Sequence, residues 1–313
     1  MRLLQESRPQ QVLLGIALIV GSVFLMSFGD ALVKAVSSDL TLWQLYVVRS
    51  LVAVPLILVL LRVVARNATL RPASLGWTLL RSLLLTGMWI CFYAALPGLS
   101  LAVAGTAFYS APLFIAVFSA LVIGEPVGMR RWLAVGIGFI GVLAILRPGT
   151  EAFSPLTLLP VLSAVFYASA MVITRSKCVG DHPLSLSLAL NLALLAAGLV
   201  ASGAIAVWGP QDPAAYPFLL GDWAPLALRD AVVLALLAVL LVAFSVGTAK
   251  AYQSGPPAII ATFDYAYLAF AALWGLLLFA ELPDAWTWFG MVLIAGAGML
   301  VVRPPARRQA TAA

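Results

Sequence analysis

The chain has 313 residues, of which 63% are hydrophobic and only 10% charged, with a mean hydropathy of +1.08 and a net charge of +6. A soluble domain carries roughly a quarter charged residues. This composition therefore argues against a soluble enzyme, a disordered chain, a nucleic-acid binder and, with only Cys91 and Cys178, a disulfide scaffold. It predicts an all-α polytopic membrane protein.

A helix crosses the hydrocarbon core with about 20 mostly apolar residues. Taken in order, such runs lie at 12–36, 40–61, 75–96, 99–123, 132–147, 156–175, 183–208, 230–253, 257–280 and 286–302, which predicts ten transmembrane helices. Ser37–Leu40, Pro97–Gly98 and Ser254–Pro256 leave room only for tight turns, whereas Gly209–Arg229 is long enough to lie on the membrane surface. A transmembrane β-strand would alternate over about ten residues; these runs are continuous and longer. The first run is also too long, and lacks the cleavage site, for a removed signal peptide.

Basic residues gather on the cytoplasmic side of membrane proteins. Alternating spans put Arg2, Arg8, Arg62, Arg66, Arg71, Arg130, Arg131, Arg175, Lys177, Arg303, Arg307 and Arg308 on one side, against Arg147, Arg229 and nearby Lys34 on the other. Both termini are therefore expected in the cytoplasm, and the basic charge reads as topology and not as a nucleic-acid footprint.

Charged side chains within spans are costly and mark pathways or partners. Asp30 and Lys34 are four apart in the first span, where they share a helix face and can neutralise each other. Arg49 sits about 13 Å into the second span, where it must meet a carboxylate, backbone carbonyls or an anionic substrate group. Trp89 and Tyr93 share a face of the third span, and Tyr109 lies mid-way along the fourth. Asn191 in the seventh span is a hydrogen-bonding candidate. Lys250 lies near the end of the eighth and reads first as a snorkelling side chain. Asp264, near mid-membrane in the ninth, is followed by Tyr265 and Tyr267. For Asp264 three readings stay open: pairing with Arg49 or Lys250, taking up a proton that couples transport, or binding a substrate ammonium. The substrate-binding candidates are thus Arg49, Asp264, Tyr109, Tyr265, Trp89, Tyr93 and Asn191, with Asp30, Lys34 and Lys250 as coupling or ion-pair candidates. Pro55, Pro112 and Pro160 predict kinks, and Gly136, Gly138, Gly141, Gly290, Gly296 and Gly298 predict close helix approach. Glu125 and Glu281 close the fourth and ninth spans and are expected to cap the helix that follows.

An internal repeat relates the halves. At an offset of 156, Glu125 matches Glu281, Trp132 matches Trp288, Arg147-Pro148 matches Arg303-Pro304, Tyr109 matches Tyr265 and Thr106 matches Thr262. At 142, Phe24 matches Phe166, Ser27 matches Ser169 and Asp39 matches Asp181. Five spans per unit is an odd number, so the second unit must be inverted in the membrane, a recurrent architecture of secondary transporters with the site near the midplane. The expected units are 1–149 and 150–313, the latter with a cytoplasmic tail.

The run from Arg81-Ser-Leu through Phe92-Tyr93-Ala94-Ala95-Leu96, then Ala104 to Pro112, Gly124-Glu125-Pro126, and Gly138-Phe-Ile-Gly141 with Arg147-Pro148-Gly149 resembles the EamA-type pattern of the drug/metabolite transporter superfamily. The second copy is looser but keeps Ala280-Glu281 and Arg303-Pro304; Leu268 replaces the proline found at Pro112, so helix geometry need not match between halves. The resemblance implies two five-helix repeats and transport across a bacterial inner membrane.

The expected function is secondary transport of small organic metabolites by alternating access. Amino acids, related zwitterions or organic anions come first, in the export direction. An importer of an aromatic metabolite such as a flavin or nucleoside is the alternative, and a membrane enzyme on a lipid-linked substrate a remote one, since the loops are too short to hold it. One histidine, His182, and no Gly-x-x-x-x-Gly-Lys-Ser/Thr run mean that no metal, cofactor or ATP-hydrolysing domain is expected. The expected partners are the substrate, the bilayer, a coupling proton and, beside the monomer, a second copy in a homodimer.

Overall fold

A computed structural model describes residues 9–63, 72–123, 129–147, 154–209 and 216–302. Among them all regular structure is helical. The first half contains α1 (Pro9–Val36), α2 (Leu42–Val63), α3 (Leu75–Ala95), α4 (Leu101–Phe108), α5 (Ala111–Phe118) and α6 (Met129–Leu146). The second contains α7 (Leu158–Lys177), α8 (Pro183–Trp208), the short α9 (Pro217–Leu220), α10 (Leu228–Ser254), α11 (Pro257–Asp264), α12 (Ala266–Phe279) and α13 (Ala285–Val302). Eight segments among the described residues are long and apolar enough to cross a membrane, and shorter apolar stretches lie at Gly136–Ile145 and Ala285–Ala297. This is a multi-pass membrane protein. Glu125, Pro126, Arg303, Pro304, the junction at 149/150 and most of the terminal basic residues lie outside the described residues.

Polarity is arranged for a lipid solvent. Leu121 is 76% exposed and Val200 73%, whereas Asp30, Arg49 and Asp264 are each 1% exposed. Apolar side chains on the outer faces lose nothing in lipid; a charge there would.

The most extensive packing joins α1 to α10, α3 to α7, α2 to α8 and α6 to α13. Exchanging the two halves maps this set onto itself: α1 against α10 becomes α7 against α3, and the other two pairs are their own images. At the α6–α13 crossing a Cβ on Gly141 would sit 3.1 Å from the Gly290 carbonyl, and one on Gly290 would sit 2.9 Å from that of Gly141. The absent side chains thus let the two backbones touch. Gly136 and Gly296 face open space and do no such work.

Two spans are broken. Between α4 and α5 the chain turns at Tyr109 and Ser110, with Ser110 N–H donating to Ala107 and Leu113 N–H to Ser110. Pro112 has no N–H to continue the helical ladder. Between α11 and α12 the break falls on Tyr265, with Leu268 N–H donating to Tyr265. The sequence without a proline there left the helix free to differ, yet the break recurs at the repeat mate of Tyr109. One other kink expectation is corrected: Pro160 lies in the first turn of α7, where its N–H would have no partner anyway. Pro55 lies inside α2.

Candidate functional site

Two buried carboxylates organise the interior. Asp30 of α1 accepts hydrogen bonds from Tyr93 of α3 at 3.1 Å and Tyr267 of α12 at 2.7 Å. Asp264, which ends α11, accepts from Tyr252 of α10 at 2.5 Å and Tyr167 of α7 at 3.3 Å. The other oxygen of Asp264, Oδ1, has no partner among the described residues. The helix breaks serve this geometry: they place Tyr109 between the two carboxylates, stacked on Tyr267 at 4.7 Å and 6.1 Å from Tyr265. Phe108 then bridges Tyr109 to Tyr167. A continuous aromatic belt therefore runs from one acid to the other.

Arg49 is fully buried in α2, with its guanidinium 5.3 Å from the centre of the Tyr46 ring. Its Nε and Nη2 have no partner among the described residues, nor do the Tyr46 hydroxyl, Ser50 Oγ and Asn191 Oδ1. Tyr46 touches Tyr93, which binds Asp30, so Arg49 stands on the Asp30 side of the belt. The expected ion pairs of Asp264 with Arg49 or Lys250 are corrected: among the described residues two tyrosine hydroxyls bond Asp264 Oδ2 instead, and Lys250 is exposed near the end of α10. Asn191 donates back to Ser187 of its own helix at 2.9 Å. Trp89 packs on Tyr93 and Phe244. With Asp30, Met26, Met88, Phe92 and Phe108 it lines a crevice too narrow to admit a water molecule.

The ends of the bundle are tied differently. At the end where α1 stops, Lys34 donates to Glu281 at 2.5 Å and to the Leu99 carbonyl at 2.9 Å, while Glu281 accepts from Leu101 N–H at 3.1 Å. Two expectations are corrected here. Asp30 takes tyrosine hydroxyls on both oxygens, and Lys34 pairs instead across the bundle with Glu281. Glu281 caps α4 and not the helix after it; Asp284 caps α13 through Thr287. Residues 216–224 fold over the start of α2, where Trp43 and Gln44 bond to Leu219 and Ala224. At the opposite end Asp181 accepts from Ala73 N–H and Thr78, and Gln253 links Arg175 to the Cys178 and Asp181 carbonyls.

Residues 13–147 match the EamA-like transporter family. This region belongs to that family. Its relatives carry small molecules. The riboflavin transporter of Vibrio cholerae serotype O1 is 29% identical over 245 residues, 78% of this chain and 76% of its own. The pseudopaline exporter CntI of Pseudomonas aeruginosa is 28% identical over 291 residues, 92% of this chain and 96% of its own. The S-adenosylmethionine uptake transporter of Rickettsia felis is 26% identical over 194 residues, 62% and 60% of the two chains. A solved crystal structure covers 95% of this chain and 98% of its own, with a TM-score of 0.65 at 19% identity, and so shares the fold. The chain is thus similar, over most of its length, to transporters of small molecules.

Within this EamA-type bundle, the structure brings Tyr93, Tyr109, Tyr265, Trp89, Asp30 and Asp264 onto one belt, buries Arg49 and Asn191 beside it, and leaves Lys34 and Lys250 at the ends. Four partners escape a reading of the sequence. Tyr46 and Tyr252 fall near span ends, where tyrosine ordinarily anchors the interface. Tyr167 lies mid-way along its helix, and that position was its signal. Arg81 is six residues into α3 and only 2% exposed; its distance from the nearest run of loop residues was the signal there.

Proposed function

We propose that the protein is a secondary carrier of small zwitterionic or anionic metabolites, amino acids and their relatives first. It would work by alternating access between two inverted five-helix repeats in a bacterial inner membrane, with both termini in the cytoplasm. One observation carries the substrate class: a buried guanidinium, Arg49, that makes no ion pair with a carboxylate among the described residues. A buried ion left uncompensated costs several kcal/mol, and an incoming carboxylate or phosphate, bound in a bidentate fork, removes that cost. The tyrosine-held acids across the belt offer the opposite charge to a substrate ammonium. Packing that maps onto itself when the halves are exchanged, and breaks at the paired Tyr109 and Tyr265, support the repeats. The span arithmetic supports ten crossings, with α6 and α13 as the short fifth and tenth. Export is the direction supported by CntI, which aligns over nearly the whole chain. The buried acid, held by tyrosines and, among the described residues, by no cation, supports proton coupling at Asp264.

A second reading, uptake of a neutral aromatic metabolite, draws on the aromatic belt and on the riboflavin-transporter relative. Flux in proteoliposomes separates the two. Arg49→Gln should abolish transport of an amino acid or organic anion. Unchanged flux of that anion in the variant, or a loss confined to a neutral aromatic compound, would sink the zwitterion reading.

A further inference from the structure

Arg81 repeats, at the other end of the bundle, the predicament of Arg49. Its Nε donates to Thr174 Oγ1 of α7 at 2.7 Å, but Nη1 is buried without a partner among the described residues, as is the hydroxyl of the adjacent Ser82. The acid nearest to it in charge, Asp181, already gives both oxygens to Ala73 N–H and Thr78. Tyr167 stands between Arg81 and the second carboxylate: it donates to Asp264 and lies within electrostatic reach of the guanidinium.

Depth gives the two arginines complementary places. Arg49 is seven residues past the start of α2 and Arg81 six past the start of α3. These helices are consecutive and begin at opposite ends of the bundle, so at 1.5 Å per residue the backbone of each arginine is about 10 Å along from a different end. Each is joined through tyrosine to a different carboxylate, Arg49 to Asp30 and Arg81 to Asp264, and the Tyr109–Tyr267 stack lies between. The interior therefore holds two arginine–tyrosine–aspartate groups in series.

We propose that Arg81 is a second anion-binding residue on the translocation path, taking the substrate's carboxylate or phosphate when the bundle opens at the α3 start, as Arg49 does when it opens at the other end. This rests on the carrier reading above and adds a second position to it. A guanidinium fork that spends one edge on Thr174 keeps the other for a planar anion. A purely structural arginine would instead stay closed to water in every state.

The test is arginine-selective modification of the purified full-length protein with phenylglyoxal, read by peptide mass spectrometry. Sodium glutamate and inorganic phosphate serve as separate competing anions, and the denatured protein is the fully reactive control. Arg81 should be modified in the folded protein, and glutamate or phosphate at ten times its dissociation constant should slow that modification by about tenfold. Protection by glutamate alone identifies a carboxylate ligand, and by phosphate alone a phosphate. Arg81 unmodified in the folded state, or modified at the same rate with either anion, overturns the proposal. Arg49 is read from the same digest: its protection with Arg81 silent would retain the carrier reading and discard this one. Arg81→Lys, which keeps the charge and the reach to Thr174 but not the planar fork, should elute and melt as the parent does while raising the transport KM; a parent-like KM in that variant would also contradict the proposal.

Discussion

The tie between Lys34, Glu281 and the start of α4 should hold one end of the bundle shut, and Glu281→Gln should loosen it. The substitution removes the charge that Lys34 reaches at 2.5 Å and weakens the acceptor for Leu101 N–H at 3.1 Å. A hydrogen bond to a charged group contributes about 1.5–3 kcal/mol, whereas a solvated ion pair contributes about 0.2–1 kcal/mol. The side chains of Lys34 and Glu281 are 13% and 27% exposed, between those limits. A bias of about 1–2 kcal/mol follows, which is a factor of roughly 5–30 in the open population. The opposite end cannot compensate in kind: at the repeat offsets, Ser176 stands for Lys34 and Pro257, which has no N–H, stands for Leu101. The assay places a reporter at Ala102→Cys, just beneath the tie and 1% exposed, in a background with Cys91 and Cys178 replaced by alanine. Labelling by a membrane-impermeant maleimide should quicken by at least about fivefold in Glu281→Gln. Exchanging the two charges restores the pair but puts a lysine at a helix N-terminus, so recovery should be partial. Equal labelling rates in parent and variant would refute the reasoning.

Three further outcomes are expected. Tyr252→Phe removes a 2.5 Å bond to Asp264 and should lower the melting temperature by about 2–6 °C, more than Tyr167→Phe, whose bond is 3.3 Å; the reverse order would show that the tyrosines do not hold the acid as described. Asp264→Asn should make any flux indifferent to an imposed pH gradient, and a gradient-driven flux surviving in that variant would remove Asp264 from coupling. Gly290→Val drives a side chain into the Gly141 carbonyl and should destabilise the protein by about 1–3 kcal/mol, whereas Gly296→Ala, facing open space, should not, as read by thermal melting in detergent.

The architecture was legible because lipid makes hydrophobic run length a direct measure of span length. The seventh span, for example, matches α8 residue for residue. Tyr109 and Tyr265, which match at the offset of 156 in the sequence, mark both helix breaks in the structure. Partner choice was not legible. Asp30 and Lys34 share a helix face, which suggested a pair, but α3 and α12 deliver tyrosines to Asp30 and Glu281 arrives at Lys34 from 247 residues away. Nothing local encodes such contacts; they follow from which faces of distant helices meet. Arg81 is a different case: its place six residues into α3 sets it apart from the loop charges, but only the structure shows it buried against Thr174 of α7.

The central claim is that an anionic metabolite crosses the bundle by meeting Arg49. Its most direct test is uptake or counterflow by purified protein in liposomes, across a panel of amino acids, vitamins and nucleosides and with both proton and potential gradients. At least one zwitterion or organic anion should move with the parent protein and fail to move with Arg49→Gln. A panel in which nothing moves under either gradient, or in which the anion moves equally well without Arg49, would contradict it.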